Sequence, residues 1–134
     1  MKPTATWIIS LCVLSISAQA NNLAPFTSDG CSLFPDGSFN NTKRWAHCCH
    51  AHDIDYWQGG TKAQRLASDK RLEQCVNDAG LPGLGQLMFL GVRLGGIPMA
   101  PTSFRWGYGW SENPGYRVLT MNEIKQVERL TPSN

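Results

Sequence analysis

The residues best suited to chemistry lie in one short stretch, positions 45–56. It contains two adjacent cysteines, Cys48 and Cys49, followed by the pair His52 and Asp53. On a helix, residues four positions apart share a face, so Cys48 and His52 would lie on one stripe and Cys49 on the stripe beside it. The stretch therefore predicts two anchoring cysteines, a base and a carboxylate on one helical surface.

The chemistry open to these residues is ester hydrolysis by an activated water. A histidine held through one ring nitrogen by a buried carboxylate presents the other nitrogen as a base near neutral pH. Asp53 can hold a hard cation such as calcium, whose other oxygen ligands would be loop carbonyls. The cation would polarise an ester carbonyl and stabilise the oxyanion. No covalent intermediate is required.

The carboxylate that could orient His52 is Asp69. The capping box at 61–64 predicts a second helix that runs to about Ala79, with Gly80 as its C′ residue. Asp69 lies within an apolar stripe of this helix, formed by Leu66, Leu72, Cys75, Val76 and Ala79. Burying an unpaired carboxylate costs several kcal/mol, and the short connector makes the two helices antiparallel. We therefore expect Asp69 to face the first helix.

The remaining elements are short. We predict that the first helix has Asn41 or Thr42 as its N-cap and runs to about Trp57, before two glycines. A further helix is predicted over 84–94. Alternating aromatic residues at 104–110 predict a strand. A second capping box at 120–123 predicts a short C-terminal amphipathic helix, with Met121, Ile124 and Val127 on its apolar face.

A glycine-containing loop at 28–37 holds Cys31. Such a loop, tied down by one cysteine, can direct backbone carbonyls at a cation. It can equally be a turn that merely carries a disulfide.

The N-terminus predicts export. Residues 1–20 combine Lys2, an apolar run and the small-residue site at 18–20, which together are typical of a signal peptide. Its removal takes Cys12 with it and leaves four cysteines, an even number that predicts two disulfides in an oxidising compartment. We expect the protein to be secreted or periplasmic, with residues 21–134 forming a single domain.

Composition argues against several partners. Twelve basic and ten acidic side chains nearly balance, which does not favour nucleic-acid binding. The apolar tract at 81–110 is interrupted by many glycines and prolines, so it is not predicted to cross a membrane.

Two interpretations of the tract at 81–110 stay open. One makes part of it core (Phe89, Leu90, Ile97 and Trp106), and the other makes part of it an apolar collar that contacts lipid (Met88, Trp106, Tyr108 and Trp110).

The central stretch also resembles a known family. Cys48-Cys49-His50-Ala51-His52-Asp53-Ile54-Asp55-Tyr56 is similar to the Cys-Cys-x-x-His-Asp-x-Cys-Tyr signature of secreted phospholipase A2. Ser68-Asp69 and Cys75 resemble that family's second-helix Cys-Asp-(five residues)-Cys segment. The resemblance implies His52 as general base, Asp53 as calcium ligand, Asp69 as orienting carboxylate and Tyr56 as a support for Asp69.

The resemblance further implies the cross-links and the calcium loop. It pairs Cys49 with Cys31 and Cys48 with Cys75. A third family bridge would join the positions held here by Asp55 and Ser68. The loop carbonyls best placed as calcium ligands are those of Gly30, Ser32 and Phe34, with Asp36 or Gly37 as alternatives. The loop lacks the family's Cys-Gly-x-Gly-Gly run, and the short connector between the helices resembles the compact bacterial and fungal branch.

We therefore expect a mainly α fold: two antiparallel, disulfide-linked helices with a calcium-binding loop, phospholipase A2-like, and a short C-terminal helix. The expected function is that of a secreted, monomeric, calcium-dependent hydrolase that cleaves a fatty-acyl ester of glycerophospholipids at a membrane surface. A non-catalytic lipid- or protein-binding module of the same fold is the first alternative. A zinc site formed by the Cys and His residues at 47–52 is a second, which the absence of a Cys-x-x-Cys pair disfavours.

Overall fold

The computed structural model describes residues 20–133, and this part of the chain is mainly α-helical. Its helices are α1 (Ala46–Gln58), α2 (Lys62–Ala79), α3 (Leu84–Gly95) and α4 (Met121–Leu130). Within these residues there is no β-strand, only isolated bridges such as the one between Leu23 and Trp110. The predicted signal peptide and Cys12 lie outside the described residues, apart from Ala20.

The helices α1 and α2 are antiparallel, as predicted. Cys48 near the start of α1 is bonded to Cys75 near the end of α2. At the opposite end, Asp55 accepts a hydrogen bond from Ser68 at 2.7 Å. The predicted capping box opens α2: Thr61 and Gln64 each bind the other's backbone N–H through their side chains. The helix ends at Gly80, which adopts the left-handed conformation (φ 119°).

The predicted start of α1 was wrong. The helix begins after Trp45, whose side chain provides no capping hydrogen bond. Asn41, one of the two expected N-caps, pairs with Ser38 across a turn, and its side chain accepts from the backbone of Lys43 at 3.2 Å. Local turn formation therefore takes the polar side chain that would otherwise have capped a longer helix.

The strand predicted over 104–110 was also wrong, because this segment is a series of turns. Gly107 has φ 76°, and the backbone folds back on itself through bonds such as Trp110 N to Gly107 O at 3.2 Å. The backbone N–H of Gly107 also donates to the carbonyl of Tyr56 at 2.6 Å. The segment thus closes over the end of α1, and its alternating aromatic residues pack there rather than in a sheet.

The buried residues form two clusters. One lies among α1, α2 and α3 and includes both residues of the Cys31–Cys49 disulfide, Trp45, Leu72, Val76 and Met88. The other joins Leu23, Trp57 and Trp110. The helical patterns placed Leu66 and Met121 on apolar faces, but these residues are 38 % and 70 % exposed. No helix among residues 20–133 is long and apolar enough to cross a bilayer.

Candidate active site

Asp69 lies at the centre of the site and is completely buried (0 % exposed). Its Oδ1 accepts a hydrogen bond from Nε2 of His52 at 2.8 Å and one from the hydroxyl of Tyr56 at 2.7 Å. His52 and Tyr56 are one turn apart on α1, which faces the Asp69 side of α2. The structure therefore brings together the three residues named as base, orienting carboxylate and support.

The hydrogen bond to Asp69 fixes which nitrogen of His52 is free. Burial raises the pKa of Asp69, but hydrogen bonds from His52, Arg93 and Tyr56 outweigh this effect and hold the pKa below its usual value. An ionised carboxylate can only accept, so Nε2 carries the proton that it donates. Nδ1 is left as the acceptor, which is the form that a base requires.

Two arginines near Asp69 were not predicted. Arg93 from α3 donates to Asp69 Oδ2 at 2.6 Å, and Arg65 from α2 donates to the Tyr56 hydroxyl at 3.0 Å. Arg65 is one turn before Asp69 on the same helix face, a spacing that could have suggested contact. Arg93 is one of two charged residues in the tract at 81–110, but its partner depends on how α3 docks.

Asp53, the predicted metal ligand, is also buried. Its Oδ2 accepts a hydrogen bond from Ser28 at 2.5 Å. Burial raises the pKa of Asp53 to about 6, against the opposing effects of Ser28 and of His52. The surrounding protein thus compensates the negative charge of Asp53 only in part. Ser28 was missed because nothing in the loop sequence distinguishes it from other turn serines.

The loop before α1 lies beside Asp53 and offers oxygen ligands. The Cys31–Cys49 disulfide ties it to α1, as the resemblance implied. Among residues 20–133, the carbonyls of Gly30, Ser32 and Phe34 accept no hydrogen bond, whereas that of Cys31 accepts one from the backbone of Phe34. Gly30, Ser32 and Phe34 line the same cavity as Asp53.

The backbone carbonyl of Asp36, one of the two alternative ligands, accepts a hydrogen bond from the backbone N–H of Trp45 at 3.0 Å. Its side-chain Oδ1 accepts from the backbone N–H of Cys31 at 2.9 Å. Asp36 therefore braces the turn of the loop.

A cavity of about 120 Å³ opens in front of these groups. His52 and Asp53 form one wall, the three loop residues Gly30, Ser32 and Phe34 a second, and an apolar set a third, comprising Leu72, Met88, Gly91, Val92, Gly95 and Phe104. A larger cleft of about 750 Å³ lies between α4 and the α1–α2 pair, but neither His52 nor Asp53 lines it. The small cavity is the one that combines an apolar wall with the candidate base.

The apolar collar of Met88, Trp106, Tyr108 and Trp110, one of the two interpretations of the tract at 81–110, is not formed. Met88, Trp106 and Trp110 are buried, and the Tyr108 hydroxyl donates to the carbonyl of Thr27 at 2.5 Å. The other interpretation placed Trp106, Leu90 and Ile97 in the core. It was right for Trp106, but it was wrong for Leu90 and Ile97, which are 58 % and 42 % exposed.

The exposed apolar surface lies instead on α3. Leu87, Leu90 and Leu94 are solvent-accessible at helical spacing beside Gly91, which lines the small cavity. Leu33 of the loop is also exposed and lines the same cavity.

The cysteines are accounted for by disulfides rather than by zinc. Nε2 of His47 lies 3.5 Å from Sγ of Cys48 and 3.6 Å from Sγ of Cys75, so that three ligand-type atoms cluster. The two sulfurs are bonded to each other, and metals bind the thiolate form. This cluster is therefore not a metal site while the bridge is intact. His47 and His50 are exposed.

The chain matches no protein-family model, no curated protein and no solved structure among those with which it was compared.

Proposed function

We propose that the chain is a secreted, calcium-dependent hydrolase of the phospholipase A2 type, which cleaves a fatty-acyl ester of glycerophospholipids. The observation that carries this proposal is the hydrogen bond between His52 Nε2 and buried Asp69, which leaves Nδ1 free beside Asp53. The antiparallel, disulfide-linked helices and the tethered loop are compatible with a phospholipase A2-like fold.

His52 acts as general base in this proposal. Nδ1 takes a proton from a water molecule, whose oxygen attacks the ester carbonyl. Asp69 stabilises the imidazolium that forms, because its carboxylate already accepts from Nε2. The imidazolium then returns the proton to the departing alkoxide, and the products are a fatty acid and a lysophospholipid. No side chain is acylated.

Asp53 and the carbonyls of Gly30, Ser32 and Phe34 would hold calcium. When bound, the ion would supply Lewis-acid polarisation of the ester carbonyl and stabilise its developing negative charge. Ser28 orients the Asp53 carboxylate towards this role through its hydrogen bond.

The walls of the cavity favour an acyl chain as ligand. Met88, Val92 and Phe104 provide an apolar lining opposite His52 and Asp53. The exposed stripe of Leu87, Leu90 and Leu94 would contact lipid around the cavity mouth, because exposed apolar patches of this kind mark membrane or partner contacts. The substrate is thus taken from a phospholipid surface.

The decisive experiment is an assay of fatty-acid release from phospholipid vesicles with and without millimolar calcium. We expect release that requires calcium and that His52→Gln abolishes, whereas His50→Gln, an exposed change on the same helix, leaves it intact. Absence of release from the wild-type protein at any calcium concentration would refute the hydrolase. Vesicle binding without release would instead favour the non-catalytic module.

A further inference from the structure

Arg93 completes the surroundings of the Asp69 carboxylate. Oδ1 accepts from His52 and from Tyr56, and Oδ2 accepts from Arg93 at 2.6 Å. Each oxygen thus has its own hydrogen-bond donors. Arg93 supplies the hydrogen bond to Oδ2, and Nε of Arg65 lies 3.9 Å from the same oxygen, beyond hydrogen-bond distance. Since the two oxygens of a carboxylate are chemically equivalent, this division of donors defines the orientation of Asp69.

Arg65 supports this arrangement from behind. It is buried (1 % exposed), and its Nε donates to the hydroxyl of Tyr56. Its Nη1 donates to the hydroxyl of Tyr116 at 2.6 Å, and its Nη2 to the carbonyls of Val92 and Arg93 at 2.7 and 3.0 Å. The Val92 carbonyl also accepts from the backbone N–H of Gly96 at 2.9 Å, so Arg65 binds the same turn that closes the helix. Arg65 therefore fixes the end of α3, and with it the backbone from which Arg93 extends.

Burial makes the orientation of Asp69 dependent on these partners. In a buried site a carboxylate is stabilised only by well-placed donors, and loss of one donor leaves an oxygen unsatisfied. The carboxylate would then turn about its last torsion to recover a partner. Such a turn would move Oδ1 away from Nε2 of His52.

We infer that Arg93 is a positioning residue for the proposed hydrolysis: it holds Oδ2 of Asp69 so that Oδ1 meets His52, and Arg65 fixes the turn of α3 that carries it. This inference rests on the proposed function for its kinetic test, but not for its spectroscopic one. It makes α3 part of the catalytic apparatus as well as a wall of the cavity. The base is correctly oriented only while the last turn of α3 is docked on α2.

The kinetic test compares Arg93→Met and Arg93→Lys with Arg71→Gln. Arg71 is a matched control because it forms an ion pair with Asp55 at 2.8 Å outside the cavity. The substrate is a soluble short-chain phospholipid ester, so that vesicle binding plays no part. We expect kcat to fall about 10- to 100-fold in Arg93→Met with little change in KM, since small misplacements of catalytic groups have effects of this size. Arg93→Lys should recover part of the loss, and Arg71→Gln should be unaffected.

The second measurement does not depend on activity. In the wild-type protein the Nε2 proton of His52, held by a carboxylate, should give a resolved downfield proton resonance. We expect Arg93→Met to shift or broaden this signal at a temperature where circular dichroism shows the variant to be folded, and Arg71→Gln to leave it in place. If Arg93→Met does not fold, Arg93→Lys is compared with the wild type in the same way.

The inference is overturned if the folded Arg93 variant keeps both the resonance and a kcat within twofold of wild type. A fall in kcat that Arg71→Gln reproduces would also overturn it. If the wild-type protein proves inactive, the proposed function fails, and the resonance alone still decides whether Arg93 orients Asp69.

Discussion

Nε2 of His52 and Oδ1 of Asp69 lie 2.8 Å apart, although 17 positions separate the residues in the chain. The contact forms because α1 and α2 are antiparallel and are clamped by the Cys48–Cys75 disulfide. The proposed base and its orienting carboxylate are therefore held by a disulfide and by two helices rather than by a loop. The contact between His52 and Asp69 can be altered by substitutions that hardly change side-chain volume.

Replacing Asp69 by Asn should test the orienting carboxylate directly. The amide keeps the shape but loses the charge, and it can accept from only part of the donor set that surrounds Asp69. We expect kcat for ester hydrolysis to fall about 100- to 10,000-fold, as when orienting carboxylates are removed elsewhere. Asp78→Asn, an exposed change on the same helix, serves as control. Activity within a few-fold of wild type in Asp69→Asn would contradict the assigned role.

Ser28→Ala should weaken calcium binding. Ser28 donates to Asp53 Oδ2 at 2.5 Å and accepts from the backbone of Gly30 at 3.1 Å, so it links the carboxylate to the loop. Loss of a group that orients a metal ligand typically reduces affinity by about tenfold or more. Isothermal titration with calcium measures this change, and Ser133→Ala, an exposed change after α4, provides the comparison. Equal affinities in the two variants would show that Ser28 does not prepare the site.

The two disulfides should contribute differently. Removing Cys48–Cys75, which closes 27 positions, should reduce the free energy of unfolding by about 3 to 4 kcal/mol, and removing Cys31–Cys49, which closes 18, by about 3 kcal/mol. The second bridge ties down the loop beside Asp53, so its loss should reduce calcium affinity more than loss of the first. Denaturant unfolding and calcium titration of the two double alanine variants measure both effects. The reverse order of calcium affinities would argue against the loop as the ligand source.

Stability should fall in acid through Glu123. Its ion pair with Arg117 lowers the pKa of Glu123 from 4.5 to about 2. Because the folded-state pKa is depressed, the stabilisation is complete above about pH 4.5 and is lost as the pH falls towards 2. The Glu123→Gln variant should have a lower free energy of unfolding than the wild type at neutral pH. Between pH 4.5 and pH 2 this free energy should decline less in the variant than in the wild type. Thermal unfolding at several pH values measures this, with exposed Glu128→Gln as control. If the free energies of unfolding of wild type and Glu123→Gln change in parallel with pH, Glu123 does not contribute to the acid dependence of stability.

The leucine stripe of α3 should matter only at a lipid surface. Leu94 is 82 % exposed, so Leu94→Glu should not disturb packing. We expect it to reduce activity on phospholipid vesicles about tenfold while leaving activity on a soluble short-chain ester unchanged. Met121→Glu, which changes an exposed apolar residue on α4, should affect neither. Equal loss on both substrates would place the effect within the cavity instead.

Local signals in the sequence predicted much of this structure. The capping boxes at Thr61 and Thr120 determine their helix starts through side-chain bonds to nearby backbone, so both were located correctly. A carboxylate in an apolar stripe identified Asp69 because a buried charge requires a partner. The positions 52, 56 and 69 follow from helical spacing once the two helices are antiparallel.

What the sequence did not predict depends on tertiary contacts. The segment at 104–110 is shaped by its bonds to the end of α1, which no local pattern encodes. The partners of Arg65 and Arg93 depend on how α3 docks. The exposure of Leu90 on α3, and of Ile97 just after that helix, has the same origin, because the docking of α3 decides which of its apolar residues face the core.

The hydrogen bond from Ser68 to Asp55 joins α1 and α2 without a covalent bond, and Arg71 adds an ion pair to the same carboxylate. This polar contact between the two helices therefore forms reversibly and needs no oxidant. Four cysteines can pair in three ways, whereas six could pair in fifteen. With a polar contact at this position, oxidative folding of the four cysteines in residues 20–133 has to select one pairing from three.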